Sequence, residues 1–326
     1  MAGLGRLAKA VDRHFRHHRL TVFWLVAALS FVGPWGYVFF RDGGQGIQPA
    51  GEPAGFARID RTAYMPYDGQ GLRLVFIDVG QGDATLIRQG ECAVLIDGGP
   101  RGDTVLDDLR SRGITDLDLV IATHPHADHI GGLPAVFSGL NIDMVWYNLQ
   151  DHRSQTFRRF YQGMRSRAGN YKAPLRGELW SCGEMMLEVL HPPRTAQGFA
   201  GHVHELNIAV RVVYQDFAAI ISGDLEKAGE LDIINAGFVL RSQVLELGHH
   251  GSRTSTHPDW VEAVGPELAI IQVGRNNKYG HPHAEVIEFL EESNIPYLTT
   301  ATHGTLVVQA DQNGSFSISS YPDKGF

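Results

Sequence analysis

The sequence predicts an α/β fold in which two sheets pack face to face with helices outside each, preceded by one transmembrane helix. Three observations carry this expectation. Short Val-, Ile- and Leu-rich runs alternate with helical stretches in two successive halves of the chain, the pattern of layered α/β architecture. Several of those runs end in glycine beside aspartate or histidine. Residues 20–40 form one charge-free apolar run.

That run is long enough, at about 1.5 Å per residue, to cross a hydrocarbon core of about 30 Å. Arg6, Lys9, Arg13, Arg16 and Arg19 precede it. The positive-inside rule therefore puts residues 1–19 in the cytoplasm and everything after the span outside it. The run exceeds a usual signal-peptide core and lacks a small-x-small exit, so a retained membrane anchor is expected over a cleaved leader. Residues 41–56, rich in Gly, Pro and Gln, read as a flexible linker. Residues 57–326 form the extracytoplasmic domain.

Within that domain the expected strands are Leu72–Val79, Ala84–Arg88, Ala93–Asp97 and Leu117–Ala122 in the first half. Leu179–Leu190, Leu206–Tyr214, Phe217–Ser222, Val244–Leu247, Leu268–Val273, Pro296–Thr299, Thr305–Ala310 and Ser315–Ser319 follow. Helices are expected at Asp103–Arg112, Asp128–Phe137, Thr156–Ala168, Glu226–Asn235, Pro258–Val264 and His283–Ser293. Thr156–Ala168 is basic and amphipathic, with Arg158, Arg159, Arg165 and Arg167.

Charge narrows the partners. The chain carries 28 basic and 36 acidic residues, and residues 1–40 take five of the former and only Asp12 of the latter. The remainder is left with 23 basic and 35 acidic residues, a net charge of −12. A domain that acidic does not adhere to polyanions by bulk electrostatics, so nucleic acid is disfavoured as a partner unless gripped locally. Cys92 and Cys182 lack metal-type spacing; they read as two buried thiols, or as a disulfide outside the cytoplasm.

The chemistry concentrates in Thr123-His124-Pro125-His126-Ala127-Asp128-His129-Ile130-Gly131-Gly132, directly after an apolar strand. Three imidazoles and a carboxylate within six residues suit zinc, with manganese or iron as alternatives. His124 and His126 would face one ion, and Asp128 and His129 a second. Other strands end in comparable motifs: Asp78–Ala84 (DVGQGDA), Ile96–Gly99 (IDGG), Ser222–Asp224 (SGD) and His249–Ser252 (HHGS). A lone strand-ending aspartate is usually a turn or a helix cap. Beside a histidine cluster, Asp224 becomes the natural carboxylate bridge between two cations. His249 would complete the second ion's ligands, and Asp97 would orient ligand histidines from behind.

These motifs, with Tyr279–Pro282 (YGHP), occur in an order that resembles the metallo-β-lactamase superfamily and, within it, the ComEC-like hydrolase domains. The resemblance spans about Leu72 to Thr305. It implies a four-layered αβ/βα sandwich with a dinuclear Zn²⁺ or Mn²⁺ site at one edge and metal-activated hydrolysis. Most superfamily members supply one more histidine to the first ion. Here His204 is the expected ligand, with His191, His202 or water as alternatives. His249 and His250 are ambiguous: one binds metal, and the other contacts substrate or protonates a leaving group. His281 resembles a late active-site histidine. Asp78 is expected to support the ligands, and Ser252 and Tyr279 to touch substrate.

Two ions can share a water, lower its pKa toward neutrality and polarise a substrate oxygen. Asp128 would orient that water or take its proton, and His250 or His281 would serve the leaving group. The leading expectation is an exported, membrane-anchored hydrolase of phosphodiesters. The first alternative is an acyl or cell-envelope hydrolase of the phosphorylcholine esterase, lactonase or lactamase type. The second is a metal-stabilised binding protein without turnover, against which the full set of candidate ligands argues.

Overall fold

The computed structural model describes residues 66–148, 150–193 and 203–321. The expected basic N-terminus, span and linker lie outside the described residues. Among the described residues, no helix is long and apolar enough to cross a membrane.

The first sheet begins with β1 (Leu72–Phe76), β2 (Thr85–Gln89) and β3 (Cys92–Ile96), joined antiparallel in sequence. β4 (Asp116–Leu117), β5 (Leu119–Ala122), β6 (Asn141–Tyr147) and β7 (Ala168–Lys172) extend it. β5 lies parallel to β3, β6 parallel to β5, and both β4 and β7 parallel to β6. The second sheet starts with β8 (Leu179–Cys182), β9 (Met185–His191), β10 (Ala209–Tyr214) and β11 (Phe217–Ile221), all antiparallel neighbours. It continues in parallel through β12 (Val244–Glu246), β13 (Leu268–Ile271) and β14 (Tyr297–Thr299). The last two strands, β15 (Thr305–Ala310) and β16 (Phe316–Tyr321), return to the first sheet on the free side of β1.

Strand periodicity explains the layering. Along β1, Leu72, Leu74 and Phe76 face a core shared with Leu187, Val210, Phe217, Val244 and Ile270 of the second sheet. Val75 points the other way, as the two-residue period requires, into a core with the helices α1 (Thr104–Ser111), α3 (Leu133–Gly139) and α4 (Gln155–Arg167). The outer face of the second sheet is covered by α5 (Lys227–Asn235), α6 (Pro258–Val264) and α7 (Ala284–Glu292). The result is the expected sandwich of helices, sheet, sheet and helices. A disulfide between Cys92, the first residue of β3, and Cys182, the last of β8, ties one sheet to the other.

Some expected elements divide. The run Leu117–Ala122 breaks at Asp118, whose carboxylate and amide both bond to the Ala93 backbone, at 2.9 and 3.0 Å. Leu179–Leu190 is the β8–β9 hairpin. Asp128–Phe137 is two helices, α2 (Ala127–Ile130) and α3, separated by Gly131 and Gly132. A Cβ at Gly132 would stand 2.2 Å from the Gly98 carbonyl, so the loop after β3 can press against this break only because the position is glycine. The strands β6 and β7 and the short α8 (Thr300–His303) were not expected. In β6 the exposed Asp143 interrupts the apolar pattern that would mark a buried strand.

Candidate metal centre

The carboxyl ends of β1, β3 and β5 in one sheet, and of β11, β12 and β13 in the other, converge at one edge of the sandwich. Each delivers a polar motif to that edge: Asp78–Asp83, Asp97, His124–His129, Asp224, His249–His250 and Gln272. Backbone constraints fix the turns. Gly223 has φ +53°, and a Cβ there would meet Asn207 Oδ1 at 2.6 Å. That Asn207 oxygen accepts from Asp224 N at 3.0 Å, while its Nδ2 donates to Ser222 O at 2.6 Å. From the other side, Glu246 Oε2 accepts from the amides of Ser222 and Gly223 at 3.0 and 3.3 Å. Asp224 is thus locked by two buried side chains, Asn207 from the loop before β10 and Glu246 from β12. Burial and the nearby Asp83 charge push the Glu246 carboxyl up to about 8.

Asp224 divides its two oxygens between two groups of histidines. Oδ2 lies 3.4 Å from His124 Nε2 and 3.8 Å from His204 Nε2, and His204 Nε2 is 3.1 Å from His126 Nδ1. Oδ1 lies 3.2 Å from His129 Nε2 and 3.6 Å from His250 Nε2, and Asp128 Oδ2 is 3.5 Å from that same His250 nitrogen. The candidate ligand atoms of His124, His126, His204 and Asp224 all lie within 4.8 Å of one another.

Burial tests whether these residues suit cations. Nε2 of His124, His129 and His250, together with Asp224 Oδ1, are buried and make no hydrogen bond. Leaving four such atoms unpaired costs about 1–3 kcal/mol each. Ring nitrogens and a carboxylate oxygen that converge without hydrogen-bond partners suit divalent cations, so the donor set fits a metal.

The opposite ring nitrogens are held from behind. His129 Nδ1 is 2.7 Å from Asp97 Oδ2, and Asp97 also accepts from Thr123 N at 2.8 Å and Thr123 Oγ1 at 2.6 Å. His250 Nδ1 donates to Gln272 O at 3.0 Å, with Asp83 Oδ1 3.1 Å away. Glu226 Oε1 is 3.3 Å from Nδ1 of both His204 and His249. This arrangement fixes the tautomers that leave Nε2 facing the centre.

The electrostatics are those of a compact charge cluster. Burial opposes charging His129 and His250, yet the carboxylates of Asp224, Asp97 and Asp83 around the first, and of Asp83 and Asp224 beside the second, raise both well above the ordinary histidine value. Burial, then the His129 charge, drives His124 well below it. Burial and the neighbouring His204 lower His126 to about 4. Burial alone would raise Asp224, but His129, His250 and His124 hold it well below the carboxylate range.

Several expected roles sit differently. The geometry puts His250 in the second group, where His249 was expected. Both residues are left-handed, with φ of 52° and 56°, and the two rings are 6.1 Å apart at 64°. His249 stays at the rim, its Nε2 3.7 Å from Asp224 Oδ2. Asp78 accepts from Gly80 N at 3.1 Å within its own turn, and Asp83 of the same motif stands behind the histidines instead. A carboxylate five residues further along a glycine-rich turn carries no periodic signal that would single it out. Ser252 is buried, its Oγ 3.1 Å from Thr254 Oγ1, and so faces the turn rather than a substrate. His191 is in neither group; its Nδ1 lies 2.7 Å from Asn207 O. His202 lies outside the described residues. His281 stands one ring out, 5.5 Å from His249 and 6.1 Å from His250 between centroids. Tyr279 is exposed beside it. Asp83, Asn207, Glu226 and Glu246 are the supporting residues that sequence reasoning did not select. Glu226 had a signal: it follows Asp224 by two residues at a helix entry.

A family model described as the metallo-beta-lactamase superfamily matches residues 77–275. ComE operon protein 3 of Bacillus subtilis (strain 168) is 29% identical over 272 residues, covering 76% of this chain and 34% of its own length. Competence protein ComA of Neisseria gonorrhoeae is 30% identical over 233 residues, covering 70% of this chain and 31% of its own. The chain therefore spans about a third of the length of these curated relatives. Among solved structures it is similar to CmlA, a diiron β-hydroxylase from Streptomyces venezuelae, with TM-score 0.50 and 12% identity over 74% of this chain and 54% of that one. That likeness is one of fold. The chain belongs to the metallo-β-lactamase superfamily, on its ComEC-like branch.

Proposed function

We propose that the chain is a dinuclear metal-dependent hydrolase of phosphodiesters, anchored by residues 20–40 with its catalytic domain outside the cytoplasm. The observation that carries the reading is the division of Asp224, one oxygen toward each histidine group, with the facing ring nitrogens buried and unbonded. His124, His126, His204 and Asp224 would hold one ion; His129, His250, Asp128 and Asp224 the other. Bound Zn²⁺ or Mn²⁺ supplies Lewis acidity and a water acidic enough to attack near neutral pH.

The chain's own residues do the rest. Asp128, the least buried of the candidate carboxylate ligands, accepts the attacking water's proton. His250 beside it, followed by the His129 charge, outweighs burial and holds it ionised. His249, backed by Glu226, presents Nε2 at the rim and protonates the leaving oxygen. His281 closes the outer side. Cys92–Cys182 supports the extracytoplasmic placement, because disulfides persist in oxidising compartments. Relatives named as competence and recombination proteins support nucleic acid as the substrate.

The acidity of the domain favours a second reading, an acyl or cell-envelope hydrolase. The purified full chain, loaded with Mn²⁺ or Zn²⁺, is assayed on bis-p-nitrophenyl phosphate, single-stranded DNA and a β-lactam. Cleavage of the phosphodiesters is expected. Cleavage of the lactam alone would replace the first reading with the second.

A further inference from the structure

Among the described residues, four large hydrophobic side chains are exposed: Tyr171, Leu179, Val239 and Tyr279. Three belong to β7, β8 and the loop after α5. Tyr279, 52% exposed, stands outside the rim of the candidate metal centre, beside His281. Its ring stacks on His281 at 26° with 5.8 Å between centroids, and His281 lies 5.5 Å from His249. One imidazole therefore separates the tyrosine from the rim histidine.

The loop that carries it is held firmly. Asn277 Oδ1 accepts from Tyr279 N at 3.1 Å and His281 N at 3.0 Å, and Asn277 Nδ2 donates to Gly274 O at 2.9 Å and His281 O at 2.6 Å. The backbone that carries the ring is thus held by Asn277. A cation stands beside it although the chain is acidic overall: Lys278 Nζ lies 5.2 Å from the Tyr279 centroid, while Arg275 of the same loop donates Nε to Ala301 O at 3.1 Å. Arg253, whose amide bonds His283 Nδ1 at 3.1 Å, turns its guanidinium to Glu285 at 3.4 Å and leaves Lys278 as the cation beside the ring. An exposed aromatic face with an ammonium beside it suits a base whose flanking phosphate is negative. A surface cation–π contact is weak beside base stacking, so a base can displace the Lys278 ammonium.

We propose that Tyr279 is the stacking platform for the nucleobase adjoining the scissile phosphate. The site then prefers phosphodiesters carrying an unpaired base, in single strands or nucleotide esters, over base-free ones; duplex bases are already stacked and cannot reach the ring. This rests on the phosphodiesterase reading.

The test compares two esters with the same leaving group, thymidine 5′-(p-nitrophenyl phosphate) and methyl p-nitrophenyl phosphate, on the metal-loaded full chain. The ratio of their kcat/KM values is expected to fall about tenfold in Tyr279→Ala, through KM of the thymidine ester, and to recover in Tyr279→Trp. A ratio that does not move, including equal losses on both esters, overturns the proposal. Binding of a labelled short oligothymidylate, followed by anisotropy, provides a second readout. If wild-type chain hydrolyses neither ester but Tyr279→Ala weakens oligonucleotide binding about tenfold, the platform stands and the hydrolytic reading falls. Binding unaffected by both substitutions overturns the platform.

Discussion

Asp97 grips His129 from behind: Oδ2 lies 2.7 Å from Nδ1, while the other nitrogen of the ring faces Asp224 Oδ1 at 3.2 Å. Asp97 is itself in the left-handed region, φ 57°, and is pinned by Thr123. Burial raises its carboxyl above the usual range, with the His129 charge opposing that shift.

Removing the Asp97 charge should therefore loosen one ion more than the other. Asp97→Asn is expected to weaken the second ion roughly 10–100-fold, measured by competition with a chromogenic chelator. Unchanged affinity for both ions would show that Asp97 only caps its turn.

Glu226 serves the opposite side of the centre. Its Oε1 is 3.3 Å from both His204 and His249, so Glu226→Gln should weaken the first ion and lower kcat about tenfold without unfolding the domain. Metal titration and kcat read this directly. Retention of both ions and full kcat would contradict the supporting role.

Glu230 supplies a pH dependence of stability. It is buried, accepts from the amides of Thr256 and His257 at 2.8 and 2.7 Å, and burial raises its carboxyl to about 7. A carboxyl raised in the folded state binds its proton more tightly there than in the unfolded chain. Its favourable contribution is complete below about pH 4.5 and disappears as pH rises through 7, a change on the order of 3 kcal/mol. Denaturation of wild type and Glu230→Gln between pH 5 and about 8 should show wild type losing stability relative to the variant as pH rises. A constant difference would contradict the assignment.

The layered fold was legible because strand periodicity and alternation with helices are local signals, and both halves carry them. The histidine cluster and Asp224 were legible because their ligand chemistry is dense in sequence. The residues that aim them were not. Asn207, ahead of β10, and Glu246, in β12, act on the turn at Ser222–Asp224 from elsewhere in the chain, and their roles exist only once the sheet is assembled. The choice between His249 and His250 rests on two consecutive left-handed residues, a backbone state that the dipeptide does not announce.

The disulfide between Cys92 and Cys182 closes a sequence separation of 90 residues and links the sheets. The denatured, non-reduced chain should show no free thiol to a thiol reagent, and reduction should cost roughly 2–4 kcal/mol and lower Tm. Two titratable thiols in chain recovered from an oxidising compartment would contradict the pairing.

In the proposed dinuclear site Asp224 serves two ions at once. The direct measurement is low-temperature electron paramagnetic resonance of the Mn²⁺-loaded chain, with metal content determined on the same sample. Two ions per chain with an exchange-coupled spectrum are expected, and loss of that coupling in Asp224→Asn. A single ion per chain with the spectrum of isolated Mn²⁺, unaltered by the substitution, would contradict it.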